Sequence, residues 1–277
     1  MRKKPKRRDL KAPGKCIFCA KHGGLSKEHI WPDWSAELFT KTSAPAHEEF
    51  MIRFTEKVKL VEPPKIQSRQ GGVTTKKLRV VCQDCNNGWM SSLEDAARSV
   101  LTTLMLGKPT AIKRGDQELL AQWIAVKVMV SEQNVPSDAI SRQEDRTAMM
   151  LHRKIPPYLS VWIAHCLSQK WESAYLRHAG TMGNTPVPPP NARKNVQSCA
   201  FGFKHLFVYT LGSTADGLDL NEYISIDRRI PKLWPFQGEP ITWPTVITLN
   251  DRYADEMATA LDRLIKSPRM LWRPFPT

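Results

Sequence analysis

Apolar residues recur at helical spacing in three parts of the chain. Leu93, Ala97, Val100, Leu101 and Leu104 share one face, predicting a helix that runs to about Leu106. Ser91-Ser92-Leu93-Glu94 in front of it reads as a capping box, and Gly107-Lys108-Pro109 ends it. A second helix is predicted over roughly 116–133, rich in buried-type residues (Leu119, Leu120, Trp123, Ile124, Val126, Val130), with Pro136 beyond. A third closes the chain: Asn250 caps it, and Tyr253, Met257, Ala260, Leu261 and Leu264 line one side.

Elsewhere the pattern is that of strands. "KLRVV" (77–81), "LSVWIAHC" (159–166), "CAFGFKHLFVYTL" (199–211), "EYISI" (222–226) and "TVITL" (245–249) are short, apolar and rich in β-branched or aromatic residues. The proline-rich "TPVPPPNARK" is a loop. Residues 16–32 predict a knuckle, a Gly23-Gly24 turn and an extended segment ending at Pro32. Residues 33–76 show weak periodicity, broken by Pro63-Pro64 and Gly71-Gly72, and residues 1–15 have the composition of a disordered arm.

At 277 residues and 41% apolar content, the chain is long enough for one large domain or two small ones with real cores. No run of about 18 uncharged apolar residues is present, so no membrane span is expected. The basic first residues are followed by no apolar segment, so a secretory signal is not expected either, and the expected setting is the cytoplasm.

Six cysteines change the picture. Cys16 and Cys19 form one Cys-x-x-Cys pair and Cys82 and Cys85 another, while Cys166 and Cys199 stand alone in apolar segments as ordinary core thiols. In a reducing compartment two knuckles read as one tetrahedral zinc site, assembled across a 62-residue gap. A thioredoxin-type redox pair is the rival reading; two separate pairs and the lack of a βαβ pattern disfavour it.

Charge is equally localised. Of the net +14, thirteen charges come from residues 1–15 and 51–80, the second stretch carrying Arg53, Lys57, Lys59, Lys65, Arg69, Lys76, Lys77 and Arg79. Focused positive charge suits a polyanion, because each neutralised phosphate releases condensed counterions. A solubilising tail and a solvated loop would give the same composition, but both runs flank the cysteine module.

Between the knuckles lies "EHIWP", Glu28 to Pro32, and the second knuckle continues as "CQDCNN". Together with "CIFC", these stretches over about residues 16–100 resemble the HNH endonuclease family, in its branch braced by a four-cysteine zinc. "CNNGWMSSLE" and the Trp-containing helix behind it are similar to an uncharacterised bacterial and phage subgroup of that family. The resemblance implies a zinc-braced ββα-metal module with a basic insertion (16–110); with the basic arm (1–15) and the strand and helix pattern of 111–277, a mixed helical and antiparallel-sheet domain of unassigned role, the expected class is α+β. The resemblance also implies hydrolysis of DNA phosphodiester bonds, with RNA as the alternative substrate, to 5′-phosphate and 3′-hydroxyl ends.

By motif position His29 takes the general base, Glu28 the first ligand of a catalytic Mg²⁺ or Mn²⁺, and Asn86 the second, with Asn87 as its substitute. The chemistry suits these residue types: an imidazole can accept a proton from water, and carboxylate and amide oxygens suit a hard cation. Adjacent strand residues point to opposite faces, so Glu28 and His29 can serve one phosphate only where the backbone bends, a bend that "IWP" would fix. Two positions depart from the family: residues 31–85 hold no Asn for its middle position, and Trp89 stands where a basic residue is usual. Other readings stay open: His29 as a zinc ligand or core imidazole, Asn86-Asn87-Gly88 as plain turn chemistry, Glu94 as a cap, and the whole module as an inactive nucleic-acid binder.

Overall fold

Strand β7 (Leu159–Cys166) is buried almost along its length, and its residues divide by parity between two cores. Val161 and Ile163 face one, Trp162, Ala164 and Cys166 the other, as the period of two in a strand requires. The computed structural model, which describes residues 13–39, 46–51, 65–70, 75–182 and 193–266, builds its central six-stranded sheet around this strand. The order is β11 (Lys232–Trp234), β7, β10 (Leu206–Ser213), β9 (Val196–Phe203) and β8 (Tyr175–Gly180). All these pairs are antiparallel; β13 (Thr248–Leu249) adds to β7 in parallel.

One face of the sheet is covered by α5 (Asp251–Ala258) and α6 (Ala260–Lys266), which bury Ala254, Met257 and Leu261 against Phe207, Tyr209 and Ala200. Asn250 caps α5 as expected, its side-chain oxygen accepting from the Tyr253 amide at 2.9 Å. The other face receives α3 (Arg114–Ser131), and beyond it the N-terminal elements.

Those elements form a three-stranded antiparallel sheet, β1 (Pro13–Lys15), β2 (His22–His29) and β5 (Lys77–Cys82). From β5 the chain turns straight into a helical run: α1 (Gln83–Cys85), a wide π-type turn over Asn86–Met90, and α2 (Ser91–Met105). A hairpin of β3 (Ala46–Met51) and β4 (Lys65–Gln70) interrupts the gap between β2 and β5. Two short strands, β6 (Thr110–Ile112) and β12 (Ile241–Trp243), pair apart from both sheets, and α4 (Gln143–His152) follows α3.

The structure is thus mixed α and β with antiparallel sheets and a four-cysteine cluster near its N-terminus. A single buried cluster runs from Cys16 and Phe18 through Trp31, Val81, Leu101 and Trp123 to Phe201, Phe203 and Val208, so packing is continuous across residue 110. Phe203 is its hub, with its ring 6.1 Å from Trp31 and 5.4 Å from Trp123. Among the described residues no helix is long and apolar enough to cross a membrane.

Several local expectations are corrected. The run 199–211 is two strands, because Lys204 adopts a left-handed φ of 56° and turns the chain back without a glycine. Glu222–Ile226 is a 3₁₀ turn and irregular chain, with Ile224 anchored in the core, and only Thr248–Leu249 of the 245–249 stretch pairs as a strand. Gly23 and Gly24 lie inside β2 opposite Gly14 and Pro13, not in a turn. Ser91 caps nothing: the chain kinks at Gly88, Met90 and Ser91 already have helical dihedrals, and the Ser92 hydroxyl donates back to the Gly88 carbonyl.

Candidate metal centre and the adjoining strand–helix junction

The two knuckles meet where β1 gives way to a tight turn and β5 to α1. The ligand atoms of Cys16, Cys19, Cys82 and Cys85 all lie within 4.8 Å of one another, and Cys19 Sγ is 3.6 Å from Cys82 Sγ. A tetrahedron with Zn–S bonds of about 2.3 Å has S···S edges of about 3.8 Å, so the cluster can hold a metal ion such as zinc. Its surroundings fit. The Cys85 amide points at Cys82 Sγ at 3.4 Å, and Phe18 and Trp89 pack edge to face at 4.9 Å. Burial pushes the Cys85 thiol far above its usual range and raises Cys19 too. For Cys16 burial also acts upward, but backbone groups of Cys82, Cys19 and Phe18 outweigh it and lower its thiol. His29 is not among the ligands, which are four cysteines.

Beside the cluster, β2 and β5 carry a bulge between Ser26 and Lys27. The extra residue is Val80 on β5, and along β2 at this bulge Leu25 and Glu28 are both buried although three apart. Asn86 clamps this bulge: its Nδ2 donates to Ser26 Oγ at 3.1 Å and to the Lys27 carbonyl at 3.3 Å. Asn86 therefore ties helix to strand. Asn87 is exposed.

The bend after His29 is present. Ile30 and Trp31 leave the strand into the core, and Pro32 opens a 3₁₀ turn over Asp33–Leu38 whose Ser35 hydroxyl returns to the Pro32 carbonyl at 2.7 Å. That turn brings the Asp33 carboxylate to 3.0 Å from His29 Nε2, off the line of a hydrogen bond. Across the ladder His29 is registered with Lys77, which is exposed. Burial first, and Lys77 second, lower the His29 pKa, against the opposing pull of Asp33 and Glu28. Both lowering effects favour the neutral imidazole, the form that can accept a proton, and Nε2 itself is buried without a hydrogen bond.

Glu28 points the other way. Its Oε1 accepts from Lys127 Nζ at 2.7 Å, and the same ammonium donates to the His29 carbonyl at 3.0 Å and to Glu94 Oε2 at 3.0 Å. Those three bonds use the full donor capacity of a lysine. Lys127 is 2% exposed, with its ammonium also 5.5 Å from the centre of the Trp123 ring. Burial works against its charge, and the two carboxylates more than offset this, so its pKa is raised. Glu94 therefore pairs with Lys127 and caps no helix, a correction to the sequence expectation.

The resemblance assigns a divalent ion to Glu28 and Asn86. The Glu28 carboxylate as arranged does not fit it, because it already holds the Lys127 ammonium; the Asn86 amide nitrogen bonds the strand. No step below is routed through such an ion.

Of the basic stretch, Arg53, Lys57 and Lys59 lie outside the described residues, as do residues 1–12 of the arm, and Lys65 and Arg69 fall on β4. The Lys76 carbonyl accepts from the Ile30 amide at 3.2 Å, and Arg79 braces β2 by donating to the Leu25 carbonyl at 2.8 Å. Lys15, Lys21, Lys27 and Lys77 are exposed around the module. Cys166 and Cys199 are buried core thiols.

Sequence reading passed over Lys127. The signal was there: one lysine in "WIAVKVMV", a helix buried on every side, must find a counter-charge. Asp33 was equally legible, four residues after His29.

Comparison of the chain with protein-family models, with curated proteins and with solved structures finds no match.

Proposed function

We propose that this chain is an HNH-type endonuclease that hydrolyses DNA phosphodiester bonds, with His29 as general base. The observation that carries the reading is the placing of a neutral, half-buried imidazole between the Asp33 carboxylate and the cross-strand Lys77, on a strand braced by the four-cysteine cluster. His29 accepts a proton from water as the water oxygen attacks phosphorus. The bond to the 3′-oxygen breaks, that oxygen takes a proton from solvent, and 5′-phosphate and 3′-hydroxyl ends result. The imidazolium so formed faces Asp33, which offsets its charge. Lys77 stands where it can offset charge on the phosphate, a contact that positions the backbone and reads no sequence. Structural zinc would tie the turn between β1 and β2 to α1, beside the bonds from Asn86 to Ser26 and Lys27.

A second reading is favoured by one observation. Lys127 seals Glu28, and a zinc-braced module without an open carboxylate suits binding of nucleic acid without cleavage. Supercoiled plasmid separates the two. Nicking by zinc-loaded chain, absent in His29→Ala at equal DNA affinity, supports the nuclease; tight binding with no nicking of plasmid, single strands or RNA by the wild type overturns it in favour of the binder.

A further inference from the structure

Three oxygens converge on one buried point: Glu28 Oε1, Glu94 Oε2 and the His29 carbonyl, from β2 and α2. Two carboxylates and a carbonyl are the donors a hard divalent cation takes. The chain itself supplies the cation from α3. We propose that the Lys127 ammonium stands in for a divalent ion at this point, making the Glu28–Glu94 pair a cation site filled from within.

The inference deepens the nuclease reading, since it concerns the carboxylate next to the proposed base, but it stands on its own geometry. Two carboxylates sharing a mostly dry pocket repel, and leaving them unpaired costs several kcal/mol. A protein can neutralise them with a bound metal or with a side chain. The metal must be captured from solution and can be lost; the lysine is permanent. By donating to the His29 carbonyl it also fixes the backbone that presents the imidazole. Lys127 is thus a positioning residue, fully enclosed, with no route to substrate.

An ammonium and a divalent ion exclude each other at this spacing. Like charges within one contact distance in a largely water-free site repel strongly, so only one of the two can be held. The wild-type chain should therefore bind no divalent ion at Glu28, and removal of the ammonium should create a binding site.

The test is a titration of zinc-loaded protein with Mn²⁺ in chelator-free buffer, read by the signal of free Mn²⁺ and by thermal shift, with no reference to cleavage. Wild type is expected to show no binding that Glu28→Gln removes. Lys127→Ala is expected to gain one Mn²⁺ per chain and to be stabilised by it, by several degrees at an Mn²⁺ concentration about a hundred times the Kd. One Mn²⁺ bound by wild type and lost in Glu28→Gln overturns the inference, and so does a folded Lys127→Ala that binds none. Should Lys127→Ala fold only with Mn²⁺ present, the inference holds; should it fold in neither buffer, the wild-type titration decides alone. The two proposals fail separately. Mn²⁺ at Glu28 of the wild type sinks the lysine and leaves a metal-using nuclease standing, whereas absence of nicking in active buffers sinks the nuclease and leaves this titration unchanged.

Discussion

Trp31 Nε1 donates to the Gly202 carbonyl at 2.9 Å, joining residues 171 positions apart. The tryptophan of the Glu-His-Ile-Trp-Pro run is thereby seated on the central sheet, and the chain leaving His29 has one course to follow. Lys127 fixes the same backbone from the other side, through the His29 carbonyl.

Gly202 has no room for a side chain. A Cβ there would lie 1.6 Å from the Trp171 carbonyl oxygen, a backbone atom that cannot rotate aside. Gly202→Ala should cost roughly 3–5 kcal/mol, at the upper end for single substitutions. Denaturant unfolding checks this, and a change under about 1 kcal/mol would mean that the Trp171 segment does not pack against β9 as described.

The cysteine cluster should hold about one zinc per chain, measured by elemental analysis of protein purified without added metal. Cys85→Ser should release it and lower Tm by roughly 10 °C or more, at about 2–4 °C per kcal/mol lost. Retention of zinc in that variant would show that Cys85 is not a ligand.

Glu132 gives a pH dependence with a definite sign. Its carboxylate is buried at the end of α3, bonded by the Ser141 hydroxyl and by Gln197 Nε2 at 2.6 Å. Burial raises its pKa, although these bonds and Arg177 act in the opposite direction. A raised pKa means that the folded state holds this proton more tightly than the unfolded state. The group's contribution is fully present below the ordinary carboxylate range and is lost as pH rises through the raised value. Glu132→Gln cannot ionise, so its Tm relative to wild type should become more favourable as pH rises above the ordinary carboxylate range. A constant difference would refute the raised pKa.

Lys77 is assigned to phosphate. Lys77→Ala should weaken DNA binding alike for all sequences and reduce the slope of log affinity against log salt by about 1. Nicking should fall about tenfold with the fold intact, less than for a donor enclosed in a dry site. An unchanged salt slope would place the DNA elsewhere.

Much of this was legible because it is local. Cysteine pairs three positions apart declare a knuckle whatever the fold does around them, and the predicted helix over 116–133 matches α3 because a buried helix carries its apolar signal in sequence. The hairpin at Lys204 was not legible, since a lysine in left-handed conformation leaves no Asn-Gly or Gly mark. Ser91-Ser92-Leu93-Glu94 has the letters of a cap, yet the helix had already begun at the second knuckle, and Glu94 was recruited by a lysine 33 residues on. That pairing depends on how separate segments meet, whereas Asp33 lies only four residues after His29. Spacing along the chain gives the partners but not the meeting.

His29→Gly, with imidazole returned to the solution, bears most directly on the nuclease. Nicking of supercoiled plasmid by the zinc-loaded variant should fall by about 10²–10⁴ and recover in proportion to added imidazole, the mark of a missing proton acceptor. A folded, zinc-loaded His29→Gly that nicks at the wild-type rate without imidazole would remove His29 from the chemistry, and the proposed reaction with it.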